Sequence, residues 1–84
     1  MEELSRESLE QMLDRCSKTT RGPWISYVEG RDHESGCNFI MTSGDDIELT
    51  GATIADQDFI ANAKQDIPRL VMEIFRLRKI LGID

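Results

Sequence analysis

One histidine, two cysteines and two prolines are all that this chain of 84 residues contains of those types. With His33 alone, a zinc site built on paired histidines is excluded. Its neighbours Asp32 and Glu34 diverge in a loop rather than converge on an ion. Asp45-Asp46 lacks the EF-hand spacing that calcium needs. No cofactor is expected. Cys16 and Cys37 lie in different elements and outside any CxxC arrangement, so buried thiols are expected rather than a disulfide framework. None of the serines stands in a GxSxG context, and no glycine cluster makes a phosphate-binding loop. Carboxylates are plentiful, but acid–base catalysis needs a cleft that separates their pKa values. A chain this short has little room for one. The protein reads as a non-enzyme.

Long apolar runs are missing too. Nothing approaches the roughly 20 apolar residues of a membrane span. Met1-Glu2-Glu3 opens the chain without the basic and apolar regions of a signal peptide. The expectation is a cytoplasmic protein with no membrane contact. Positive charge is also scarce, with 16 acids against 10 bases and a net charge of −6. Up to Asp66 there are 14 acids and 6 bases, and after it 2 acids and 4 bases. Nucleic acid binding rests on neutralising phosphates, so an acidic body argues against it. The same body favours encounter with a basic protein partner.

What is present suits one small domain over residues 1–84, with 39% apolar residues, enough for a core. Leu9, Met12, Leu13 and Cys16 share one face of a helix over residues 5–18, with Ser5 as its N-cap. Arg21-Gly22-Pro23 stops it. Trp24 to Glu29 reads as a strand of β-forming residues, with Trp24 as a core anchor. A polar loop, Glu29 to Gly36, leads to a return strand over Cys37 to Thr42. Ile47-Glu48-Leu49-Thr50 alternates as a third strand. Thr53 and Asp56 resemble a capping box. Ala55, Phe59 and Ala63 form a helical stripe with Ile60 beside it. Asp66-Ile67-Pro68 suits the start of a separate last helix. The fold expected is α+β: a small antiparallel three-stranded sheet packed by helices, in the order α-β-β-β-α-α.

Two surfaces draw attention. Glu29, Asp32, Glu34, Asp45, Asp46 and Glu48 gather on the loop and turns, and neighbouring strands would merge them into one negative patch for partner binding. In the last helix, Ile67, Leu70, Ile74, Leu77 and Leu81 recur at heptad spacing and suit the chain's own sheet. Val71, Phe75, Arg78 and Ile80 lie outside that seam and widen the arc, giving a side for an oligomer or partner contact.

Thr20-Arg21-Gly22-Pro23-Trp24, following a short amphipathic helix, is similar to the T-x-G-P-W signature of small ead-like phage and prophage proteins. Those chains also tend to end with a segment like Asp56-Gln57-Asp58-Phe59-Ile60-Ala61-Asn62-Ala63, then a gap and a leucine-rich helix such as the one from Ile67. The matching parts cover about half of this chain, in the same order, and leave residues 25–50 without a counterpart. The resemblance implies a mobile-element origin and a non-enzymatic accessory role, and it supplies no catalytic residues.

The functional expectation is stoichiometric binding of another protein. Its sharpest form is an immunity-type or inhibitor protein that blocks a basic toxin or enzyme. The alternative is a self-associating phage or prophage accessory protein, a homodimer or larger, with a structural or regulatory role.

Overall fold

In the computed structural model, which describes residues 4–83, the order of elements is α-β-β-α. The elements are α1 (Arg6–Ser17), β1 (Ile25–Tyr27), β2 (Phe39–Met41) and α2 (Ile54–Leu81). Both helix starts form as their residues dictate. The Ser5 side chain caps α1 by accepting the Ser8 amide at 3.0 Å. At α2, Thr53 and Asp56 exchange reciprocal bonds of 3.0 Å between side chain and amide, so aspartate serves as the second half of a capping box.

Three expectations are corrected. The sheet has two strands rather than three, paired antiparallel with Ser26 opposite Ile40. The expected third strand contributes one bridge, in which Ile40 and Ile47 exchange backbone bonds of 2.8 and 2.9 Å. Only five residues separate Ile47 from the cap residue Thr53, so the chain must turn away at once. It does so at Gly51, whose φ of +82° lies in the region glycine tolerates. The third correction concerns the last third of the chain. The two expected helices are one helix of 28 residues, with Pro68 inside it. An interior proline costs about 3 kcal/mol through its missing N–H and its ring. Here the segments before and after it are each anchored by side chains to other parts of the chain, and these contacts offset that cost.

The residues group into two compact units, residues 20–65 and residues 1–19 with 66–84, and the boundary falls inside α2. In the second of these, Leu9 is fully buried and Val71 is 3% exposed. The Arg6 guanidinium lies 5.0 Å above the Phe75 ring, and Arg78 donates to the Leu4 carbonyl.

The unit of residues 20–65 packs the first part of α2 on the hairpin. Its buried side chains include Val28, Ile40 and Ala61, together with the polar Thr42 and Gln57. The expected packing stripe of Ala55, Phe59 and Ala63 is not the one used. Phe59 is 73% exposed, and the contact row is Gln57, Ala61 and Gln65. Buried backbone groups need hydrogen-bond partners, and a carbonyl has room for a second bond beside one made within the ladder. The two glutamines supply them, and the small Ala61 between lets the backbones approach.

Candidate functional site

Gln65 closes a two-point clamp on Trp24. Its Oε1 accepts the Trp24 amide at 2.7 Å, and its Nε2 donates to the Trp24 carbonyl at 3.1 Å. The Trp24 indole N–H donates to the Thr20 carbonyl at 2.8 Å, and Lys64 Nζ sits 5.8 Å from the ring centroid. Trp24 is therefore a half-buried corner piece rather than a core anchor. Two residues of the Thr20–Trp24 segment thus form a local knot.

About two helical turns earlier, Gln57 Nε2 donates to Ser26 Oγ, the Tyr27 carbonyl and the Phe39 carbonyl at 2.8, 3.1 and 3.2 Å. It reaches both strands of the hairpin at once. Beside it, Arg31 grips the Asp58 carboxylate with two parallel bonds of 2.8 and 3.0 Å. The groove over these residues, lined by Trp24, Ser26, Arg31, Asp58 and Asn62 among others, has a volume of about 480 Å³. Its one cation and its one carboxylate already satisfy each other, so a charged ligand would have to break that pair first.

The Arg31 guanidinium, helped by the Ser26 hydroxyl, holds the Asp58 carboxyl down to about 2. A carboxyl with a depressed folded pKa stabilises the fold in full above its unfolded value of about 3.8. That contribution is lost as the pH falls through the folded value. The pair's side chains are 46% and 35% exposed, so water and salt screen it and its effect is modest. Asp58→Asn should flatten the parent's loss of stability between about pH 4 and pH 2, followed by circular dichroism at low salt. An acid limb identical to the parent's would show that the pair does nothing for folding.

The acidic residues divide by role. Asp32 Oδ2 accepts the Val28 amide at 2.8 Å and the Arg31 Nε at 2.9 Å. Glu29 accepts the Gly36 amide at 2.6 Å. These two shape the hairpin loop. Glu34, Asp45, Asp46 and Glu48 are exposed. His33 does not stand in solvent as a polar loop suggests. Its ring lies 5.1 Å from that of Phe39 and 6.2 Å from that of Tyr27, and its Nε2 is buried with no partner among the described residues. The Ser35 amide donates to Nδ1 at 3.0 Å, which assigns the proton of the neutral ring to Nε2. Among the described residues, no group of three or more His, Cys, Asp or Glu is placed to hold a metal ion, and no helix is long and apolar enough to cross a membrane.

The second half of α2 presents a different surface. Leu70, Leu77 and Leu81 are 63%, 45% and 73% exposed, and Ile67 is 39% exposed. These belong to the heptad row that the sequence assigns to the chain's own sheet. Of the residues assigned to an outer contact, Val71 is buried, Phe75 and Arg78 are half-buried under the Arg6 and Leu4 contacts, and only Ile80 is fully open, at 66%. The roles of the two rows are thus largely exchanged. Flanking the open row, Arg76 pairs with Glu73 on the same helix and holds its carboxyl below the usual range.

No family model, no curated protein and no solved structure matches this chain. The residues that sequence reading missed are Gln57 and Gln65. The available signal was their spacing around Ala61, two amides at i and i+8 on one helical face. Reading apolar residues as the only contact formers hid it.

Proposed function

We propose that this is a non-enzymatic protein-binding protein that docks another protein on the open apolar row of α2. The exposure of Leu70, Leu77 and Leu81 carries this reading. Scattered apolar side chains are normal on a surface, but three exposed leucines along one helix, rimmed by charge, suit a partner contact. Such a helix binds in the helix-in-groove manner, with anchors at i, i+3, i+7 and i+10. The rim is supplied by Arg69, Glu73 and Arg76, all exposed.

The narrower reading is an immunity-type or inhibitor protein acting in the cytoplasm on a basic toxin or enzyme. One observation favours it: Glu34, Asp45, Asp46 and Glu48 are exposed, and Asp45 and Asp46 are adjacent in the segment between β2 and Ile47. Asp32 and Glu29 support the loop that carries Glu34 rather than contacting the partner themselves. In this reading the acidic residues speed encounter, and the apolar row holds the complex.

The test is capture from an extract of the native host with the chain immobilised, followed by titration of the captured protein. The Leu70→Lys/Leu77→Lys variant should weaken binding at least about thirtyfold, the loss of one interface hot spot. The Asp45→Lys/Asp46→Lys variant should slow association more than it speeds dissociation. A partner that binds both variants as it binds the parent would remove both surfaces from consideration.

A further inference from the structure

We propose that the outer edge of β1 at Ser26 is a binding site for an uncharged carboxamide, which takes both backbone groups of that residue at once. The site lies within the unit of residues 20–65 and does not rest on the docking reading above.

The backbone bonds of this edge can be followed residue by residue. In an antiparallel pair the N–H and C=O of one residue point to the same side, and the side alternates along the strand. Ile40 exchanges both of its backbone bonds with Ile47, on the side of β2 away from β1. Its cross-strand neighbour Ser26 therefore belongs to a pair without hydrogen bonds, and the Ser26 N–H and C=O point away from β2. By the same alternation Trp24 and Val28 point outward too, and both are satisfied. Gln65 takes the Trp24 amide and carbonyl at 2.7 and 3.1 Å. The Val28 amide donates to Asp32 Oδ2 at 2.8 Å, and the Val28 carbonyl accepts the Arg31 and Asp32 amides at 3.1 and 2.8 Å. Between them, neither the N–H nor the C=O of Ser26 has a hydrogen-bond partner among the described residues. Ser26 is half-buried, and here the edge opens onto the groove of about 480 Å³ that it lines with Trp24, Arg31, Asp58 and Asn62. That volume is ample for a small ligand.

The chain itself shows what fits. Two residues before Ser26, one side-chain amide serves the N–H and the C=O of a single residue. A carboxamide can do so because it carries an acceptor and a donor side by side. One entering the groove meets the same pair of groups at Ser26. Other ligands fit less well. An added strand needs a run of outward residues, but Gln65 and the Val28–Asp32 bonds close the edge to either side, leaving about 13 Å between Trp24 and Val28. A carboxylate offers no donor to the carbonyl, and an ammonium offers no acceptor to the amide. Charge of either sign also has to compete for Arg31 and Asp58, which hold each other with two bonds. The Ser26 hydroxyl is engaged with Gln57 and Asp58, so the backbone is what remains to recognise the ligand.

The probe is benzamide, titrated into the nitrogen-labelled full chain and followed by nuclear magnetic resonance. Binding in the millimolar range should move the Ser26 amide most. Acetophenone matches benzamide in size and carbonyl but has no N–H, and should bind about tenfold more weakly, the loss of one hydrogen bond. In the free chain the Ser26 amide should exchange with solvent at least about tenfold faster than those of Ile25 and Tyr27, which face β2. Asn62→Trp fills the groove from an exposed position of α2. It should keep the parent's far-ultraviolet spectrum and lose benzamide. Should tryptophan disturb the fold, the exchange and acetophenone measurements decide. Glutamine capped by acetyl and N-methylamide groups separates the sources of the amide. Binding tighter than that of benzamide assigns the site to a side chain borne on another protein, and weaker binding assigns it to a small free amide. A Ser26 amide that exchanges as slowly as its neighbours is already bonded and overturns the site. So does equal binding of benzamide and acetophenone, a pattern of shifts centred away from Ser26, no binding at the solubility limit of benzamide, or a folded Asn62→Trp chain that binds benzamide as the parent does.

Discussion

Gln57→Leu should destabilise the unit of residues 20–65 by about 2–4 kcal/mol, although leucine fills nearly the same volume and is more apolar. Gln57 is 4% exposed, and its amide nitrogen serves Ser26 Oγ and the carbonyls of Tyr27 and Phe39. Leucine offers none of the three a donor. Apolar burial works the other way, but three acceptors lose the bond they take from Gln57, each worth about 0.5–1.5 kcal/mol. The melting temperature should fall by roughly 10 °C or more, since 1 kcal/mol moves a domain of this size by about 4–8 °C. Gln57→Glu is the informative companion. It turns a donor into a buried acceptor facing three acceptors. Its carboxyl must therefore titrate upward, and the variant should recover stability as the pH is lowered from 7 toward about 5. A Gln57→Leu protein that melts within a degree or two of the parent would show that the hairpin holds to the helix without this amide.

Leu9→Ala should be the most damaging change in the unit of residues 1–19 and 66–84, at about 2–5 kcal/mol. Leu9 is fully buried, and Val71 is the other nearly buried apolar side chain there. The other apolar side chains there, Met12, Leu13, Ile74 and Phe75 among them, are only half-buried. The Arg6–Phe75 pair adds about 0.5–1 kcal/mol at an exposed site, and the surface pairs Arg6–Glu10 and Lys18–Asp14 add a few tenths each. These cannot replace the methyls lost. A helix of 12 residues is marginal in water by itself. The expected result is selective: amides of α1 exchange at nearly free-peptide rates, while those of Gln57 to Gln65 stay protected. Uniform loss of protection along the chain would show that the two units unfold together. Unchanged exchange in α1 would show that Leu9 anchors nothing.

The face that the first part of α2 buries on the hairpin is not its most apolar one. Phe59 and Ile60 are more apolar than Gln57 and Gln65, yet Phe59 is 73% exposed and the glutamines face the hairpin. The carbonyls of Tyr27 and Phe39 and the backbone of Trp24 exchange bonds with these amides, which an apolar side chain could not make. Beyond Asp66, Val71 is buried and Phe75 lies under Arg6 of α1, while Leu70, Leu77 and Leu81 stay exposed.

What the sequence by itself determined is local. Ser5 caps α1, and Thr53 with Asp56 caps α2, because each cap bond spans three residues and needs nothing distant. The helical periods, the hairpin and the glycine turns follow for the same reason. The tertiary structure decided the rest. Pro68 does not divide α2, since distant contacts on either side of it hold both segments in one helix. The third strand shrinks to one bridge, because the cap at Thr53 draws the chain off the sheet. His33 goes in among Tyr27 and Phe39, and Glu29 and Asp32 accept loop amides. Which face of a helix is buried depends on hydrogen-bond needs presented from elsewhere in the chain. The Trp24 backbone groups that Gln65 satisfies lie 41 residues away, beyond the reach of any local pattern.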